Sequence, residues 1–288
     1  MTRLAGLALF LLAAPASAQT ARAPATPPDS VRALLRLARL QSGKKDAAGA
    51  LESLGRARKI APNSEEVLSA YAQVSLAAGK PLPAILALEP LTRICPGVAQ
   101  HHYLLGVALL QAGDHVAATE SLRRARELEP DRPLTLIALG LALNTGKRYA
   151  EARPFLVRSL ELAPDDVEAL AALAEAEAGL GELQPAEEHA QRALSRRQGH
   201  ATANLVMGLL RMKQERYAEA RDAFQRAVAA EPASSKAQYQ LSLAYARLND
   251  DANASQHLDL YRLRLKEMEE RVRELRGETR ETGAESHP

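Results

Sequence analysis

Apolar positions along this chain gather into pairs of short helical stretches, and a proline closes each pair at a fixed interval. Pro62, Pro96, Pro130 and Pro164 stand 34 residues apart, and the next two places hold Gln198 and Pro232. Twelve residues before these turns come Ala50, Ala84, Ala118, Ala152, Ala186 and Ala220, with Ala254 continuing the series. Twenty-four residues before them the residue is again small: Ala38, Ala72, Gly106, Gly140, Ala174 and Gly208, then Ser242 in the last unit. A larger apolar residue directly precedes that slot: Leu37, Tyr71, Leu105, Leu139, Leu173, Met207 and Leu241. The units 31–64, 65–98, 99–132, 133–166, 167–200, 201–234 and 235–268 follow one another without an insertion.

This pattern predicts two helices per unit. Small residues let helix backbones approach closely, and a leucine beside them fills the crevice. Gly or Lys near the middle of each unit, as at Gly113, Gly146 and Gly181, marks the turn between first and second helix. The proline ends the second helix, since it lacks an amide hydrogen and restricts the residue before it. Asn63, Asp131 and Asp165 follow and are the predicted caps of the next helix. One pair cannot bury its own apolar face, so neighbours must stack. The predicted fold is all-α: a solenoid of seven helix-turn-helix repeats over 31–268. The last unit has no closing proline, so its second helix is predicted to run on to about Arg276 as a longer C-terminal capping helix. Residues 269–288 are this helix extension and a disordered tail.

Some positions depart from the pattern. Gln198 replaces proline and Ala190 stands where a large apolar residue is expected, making the fifth unit the loosest. Pro90 lies inside a second helix and is expected to kink it, at a cost of ~3 kcal/mol. His102, Asn204 and Gln238 occupy a slot that is Leu34, Leu68, Leu136 and Leu170 in other units.

Leu136-x-x-Leu139-Gly140-x-x-Leu143, then Ala152-x-x-x-Leu156 and Pro164, resemble a tetratricopeptide repeat, as do Met207-Gly208, Ala220-x-x-x-Phe224 and Pro232. The resemblance runs from Val31 to about Met268. It implies first helices that line a concave groove gripping a peptide or partner helix. On those helices one stripe lies roughly 130° from the packing face. It reads Tyr103, Val107 and Leu110, then Leu134, Ile137 and Leu141, then Leu205, Leu209 and Met212, then Tyr239 and Leu243. Glu168 and Glu175 interrupt it, and Arg32 and Arg39 begin it. Either these residues bind a partner through apolar anchors, with a basic partner residue meeting Glu168 or Glu175, or they pack first helix against first helix. Some family members hold the C-terminal carboxylates of chaperones with a Lys/Asn/Arg clamp. Leu35, Arg39, Ala70, Gln100 and Leu104 correspond here and keep one cation, so that ligand class is not expected.

Composition narrows the function further. Lys plus Arg (37) nearly cancels Asp plus Glu (35), which gives no reason to expect nucleic acid as partner. No phosphate loop, nucleophile motif or metal-ligand spacing is present, so no enzyme activity, cofactor or metal is expected. Glu168, Glu175 and Glu177 are expected to be solvated charges of one helix. Asn253-Ala254-Ser255 fits a glycosylation sequon but falls on a packing slot. Cys95 is the only cysteine, so no internal disulfide forms; it either packs as a small apolar residue or pairs between chains.

Arg3, the apolar run Leu4 to Ala14 and the small residues Ala16-Ser17-Ala18 predict a signal peptide at 1–18, followed by a proline-rich linker at 19–30. The run is well short of the ~20 residues a spanning helix needs, so no stable membrane insertion is expected after cleavage. The expected protein is an exported interaction scaffold, periplasmic or secreted, within a bacterial envelope or secretion assembly. A chaperone for exported clients and a non-catalytic regulatory subunit are the alternatives. Leu258, Tyr261, Leu265, Met268, Val272 and Leu275 form a short coiled-coil seam on the final helix, which either caps the stack or makes a homodimer.

Overall fold

The computed structural model describes residues 28–275, and of Met268 and 271–275 the backbone alone. The leader predicted at 1–18, most of the stretch 19–30 and the tail after 275 lie outside the described residues. Fourteen helices fill the described span, two to each 34-residue period. They pair as α1 (Asp29–Gly43) with α2 (Ala47–Ile60), α3 (Glu65–Ala77) with α4 (Pro81–Ile94), and α5 (Ala99–Ala112) with α6 (His115–Leu128). Next come α7 (Pro133–Thr145) with α8 (Tyr149–Leu162), and α9 (Val167–Leu180) with α10 (Leu183–Arg196). The series ends with α11 (Ala201–Lys213) and α12 (Tyr217–Ala230), then α13 (Ser235–Arg247) and the longer α14 (Asp251–Leu275). No strand occurs among the described residues, and no described helix is long and apolar enough to cross a membrane.

Each helix packs on the next in sequence. First helices of neighbouring pairs also touch one another, so that α9 contacts both α7 and α11, whereas second helices make no comparable contact among themselves. A stack that is closer on one side curves towards that side. The first helices therefore form the inner wall of an all-α solenoid and the second helices its outer face.

The small slots set how closely the helices approach. Ala50, Ala84, Ala118, Ala152, Ala186 and Ala220 are all fully buried. Opposite them, a Cβ added to Gly106, Gly140 or Gly208 would fall 2.4 Å from Leu122 Cγ, 2.5 Å from Leu156 Cγ or 2.3 Å from Phe224 Cε1. The large residue thus lies in the space a side chain on the glycine would need. In the fifth pair Ala190 takes the place of the large residue, and it is fully buried against Ala174, Ala186, Val206 and Leu210.

Within every pair, one residue of the inter-helix turn is left-handed, at the same place in each period: Lys45, Gly79, Gly113, Lys147, Gly181, Glu215 and Asn249, with φ from 58° to 94°. In the fourth pair Gly146 lies in the predicted turn with φ −75°, and Lys147 beside it carries the left-handed conformation. A side chain with a Cβ costs about 1–2 kcal/mol there, partly offset by the larger chain entropy that glycine has when unfolded. Lys45→Gly, Lys147→Gly and Glu215→Gly should therefore each raise stability by roughly 0.5–1 kcal/mol. Thermal melts read this directly, and three unchanged or lowered midpoints would refute it.

Helix caps fall one residue later than predicted. Ser64 and Asp166, not Asn63 and Asp165, accept from the backbone N–H groups of Val67 and Ala169, at 3.5 and 2.8 Å. The residue after the proline is still turning; the next is extended and can reach the helix start. Asp131 and Asp165 instead pair with Arg158 and Arg196, at 2.9 and 2.7 Å. α4 runs unbroken through Pro90, and α8 carries a further interior proline, Pro154. The polar residues in the leucine slot tie down the preceding turn. His102 Nε2 lies 3.0 Å from Pro96 O, Asn204 Nδ2 donates to Gln198 O at 2.9 Å, and Gln238 Nε2 to Pro232 O at 3.2 Å.

Candidate functional site

The inner wall is where the predicted stripe falls, and the structure divides that stripe. Tyr103, Val107, Ile137 and Leu205 are each 1% exposed, so these four pack first helices together and offer no surface. A first helix in the middle of the stack has a neighbour on either flank and its own second helix behind, which buries residues all round. Leu110, Leu134, Leu141, Glu168, Leu209, Met212 and Leu243 are half-buried, and Tyr239 is 37% exposed. Arg132 stacks 4.9 Å from the Tyr103 ring centroid. Burial pushes the Tyr103 hydroxyl up to about 12.

The glutamates of α9 are not solvated, contrary to the expectation for them. Glu175 and Glu177 are buried and Glu168 is half-buried. Each meets a cation from elsewhere in the chain. Lys236 Nζ of α13 donates to Glu175 Oε1 at 2.6 Å, and His189 Nδ1 of α10 lies 2.8 Å from Glu177 Oε2. Glu168 pairs with Arg197 and, at 3.0 Å, with His200 Nε2. Glu168 and Glu175, the carboxylates expected to meet a basic partner residue, thus already pair with cations of this chain. Burial would raise the Glu168 carboxyl, but the hydrogen bonds and charges of His200 and Arg197 outweigh it and hold the group below the usual range. The Glu177 hydrogen bond raises His189 above the ordinary histidine value, against the opposite pull of burial.

Between α9, α11 and the start of α13 the wall opens into a cavity of about 300 Å³. Leu209, Met212 and Val206 form an apolar side, while Lys213 and the Glu175–Lys236 pair set a polar rim. Room exists because the α9 face carries Ala178 and Gly179. A Cβ on Gly179 would lie 2.4 Å from the Tyr149 ring, so the glycine lets Tyr149 close one end. Among predicted site residues, Glu175, Leu209 and Met212 come together here and the others do not. Lys213, Lys236 and Tyr149 went unrecognised, since nothing local to them signals a wall built from five helices.

The final helix covers the far end of the wall. Tyr261 of α14 tilts against Tyr239 with ring centroids 5.0 Å apart, and His257 stacks on Tyr245 at 5.5 Å. His257 Nδ1 also lies 2.7 Å from Gln238 Oε1. These contacts make the first part of α14 an end cap on α13. Leu258, Tyr261 and Leu265 of the seam are half-buried, while the side chains of Met268, Val272 and Leu275 lie outside the described residues.

Helix pairs on a 34-residue period, nested on small residues and curved around an inner wall, define a helical-repeat solenoid. A tetratricopeptide repeat model matches residues 72–133, 117–167 and 205–265, and a second one matches 32–64. The chain belongs to the tetratricopeptide repeat family, whose repeats serve as protein–protein interaction scaffolds. No curated protein matches it. Among solved structures, the MamA protein is 22% identical, with 59% of this chain and 93% of that one covered and a TM-score of 0.54. A tetratricopeptide repeat protein from Parabacteroides merdae ATCC 43184 is 16% identical over 76% of this chain and 86% of its own, with a TM-score of 0.61. PilW, a widely conserved type IV pilus biogenesis factor, is 19% identical over 72% of this chain and 96% of its own, with a TM-score of 0.59. These three likenesses are of fold.

Proposed function

We propose that the protein is an exported adaptor that holds a segment of another protein against its inner wall, with one large apolar side chain of that segment seated between Leu209 and Met212. The observation that carries this reading is the cavity beside those two residues, rimmed by Lys213. An apolar recess with a few placed polar groups is the usual form of an anchor site. The leader-like Arg3, Leu4–Ala14 and Ala16-Ser17-Ala18 support export, and the setting we assign is a bacterial envelope or secretion assembly. PilW, a type IV pilus biogenesis factor, shares the fold.

A photoreactive residue in place of Met212, in the native host, should give one defined adduct in the envelope fraction. The same residue in place of Val157, exposed on α8, should give none. The variant Leu141→Glu with Leu209→Glu should keep the melting temperature and lose the adduct. If that variant melts early instead, the wall serves packing alone and the reading fails. A ladder of many weak adducts would mark a chaperone for exported clients.

A further inference from the structure

We propose that Glu65, Cys95 and His101 form a binding site for one thiophilic divalent cation, Zn²⁺ in the first place, at the joint between the second and third helix pairs. Glu65 is the first residue of α3, Cys95 directly follows α4, and His101 lies in the first turn of α5. One donor atom from each lies within 4.8 Å of the other two. Cys95 Sγ is 3.5 Å from Glu65 Oε2, and His101 Nε2 is 3.5 Å from Glu65 Oε1. Donors arranged tetrahedrally at bonds of ~2.0–2.3 Å are roughly 3.3–3.8 Å apart, and each of these two distances falls in that range. The imidazole–carboxylate distance is, by contrast, long for a hydrogen bond.

His101 gives the second observation. It is 3% exposed, and its Nε2 faces Glu65 Oε1. Burying an imidazole is costly, and the fold does not require one at this place. The same place in other periods holds Ala33, Val67, Thr135, Ala169, Ala203 and Ala237, all without an imidazole and all but Ala33 buried. One period earlier the whole trio is Val31, Ala61 and Val67, which pack in a single apolar cluster. None of the later trios combines a thiol, an imidazole and a carboxylate. The repeat thus supplies its own control: stacking alone is satisfied without a thiol or an imidazole at these places.

The donor chemistry selects the ion. A thiolate and a carboxylate balance a divalent charge, which keeps a half-buried site neutral. A thiolate with an imidazole favours Zn²⁺ and its neighbours over Mg²⁺ and Ca²⁺, which take oxygen donors. The Glu65 side chain is 51% exposed, so the fourth position opens to solvent and takes water. Bound metal would fasten the ends of three helices and stiffen the joint.

The test uses the untagged chain, reduced and stripped of metal, titrated with Co²⁺ alone and then with Zn²⁺. Co²⁺ should saturate at one equivalent with an intense thiolate-to-cobalt charge-transfer band and tetrahedral visible bands, and Zn²⁺ should displace it. Zn²⁺ should raise the melting temperature. Cys95→Ser and Glu65→Gln should each weaken Zn²⁺ binding roughly 10–100-fold. His101→Ala should do the same and still fold, because four other periods carry alanine at that place. The proposal is overturned if no charge-transfer band appears, or if Zn²⁺ binds Cys95→Ser as tightly as the parent chain.

Discussion

Leu156→Ala should destabilise the protein by about 2–5 kcal/mol, and it should reverse the sign of a second change, Gly140→Ala. Leu156 is fully buried and its Cγ lies 2.5 Å from where a Cβ on Gly140 would stand. In the parent chain Gly140→Ala pushes a methyl into that side chain. Overpacking costs about 1–3 kcal/mol, more than the ~1 kcal/mol that alanine gains over glycine inside a helix. Once Leu156 is truncated the obstacle has gone. The same methyl then partly fills the cavity and keeps its helical advantage, so Gly140→Ala becomes stabilising by about 1 kcal/mol. The fifth pair already has this arrangement, with Ala174 and Ala190 both fully buried. Urea unfolding of the parent, both single variants and the double variant measures the coupling. Non-additivity of about 1–3 kcal/mol is expected, and strictly additive effects would show that α7 and α8 are not held apart by this contact.

That contact was legible in the sequence because it depends on residue size alone. Gly140 and Leu156 sit at places where size repeats every 34 residues, and size decides how near two helices can come. The left-handed turn residue was only half legible. Glycine marks it at Gly113 and Gly181, but Lys147 and Glu215 adopt the same conformation. Stripe residues such as Tyr103 and Ile137 misled for another reason. A hydrophobic face on one helix of a solenoid does not say whether it meets a partner or the next first helix, and both kinds of position occur within a single turn of α5 or α7. Charge pairing was the least legible. Lys236 lies 61 residues from Glu175 and Cys95 lies 30 from Glu65, separations that become contacts only once the pairs are stacked. Short-range spacing rules for ion pairs and metal ligands cannot see across a repeat.

Breaking the pair between Glu177 and His189 should be the costliest polar change on the inner helices. Glu177 is 3% exposed, and the imidazole on α10 is its hydrogen-bond partner at 2.8 Å. His189→Leu removes that partner and strands a carboxylate among packed side chains, a loss of about 3 kcal/mol. The pH dependence then identifies the charge. Glu177 raises His189 above its unfolded value of ~6.5, so the folded protein holds this proton more tightly than the unfolded chain. Stability from the pair is therefore fully present below about pH 6.5 and is lost as pH rises through the higher folded value. Burial lowers His101 and His257, which act in the opposite sense and withdraw stability as pH falls below ~6.5. The pair must accordingly be read as a difference, between the parent and Glu177→Gln, which keeps an acceptor but removes the charge. Urea midpoints taken between about pH 5 and pH 9 should show a gap of roughly 1.5–3 kcal/mol at the acid end that closes towards the alkaline end. A gap that is flat across that range, or that widens as pH rises, would mean that the imidazolium is not what holds Glu177 in the wall.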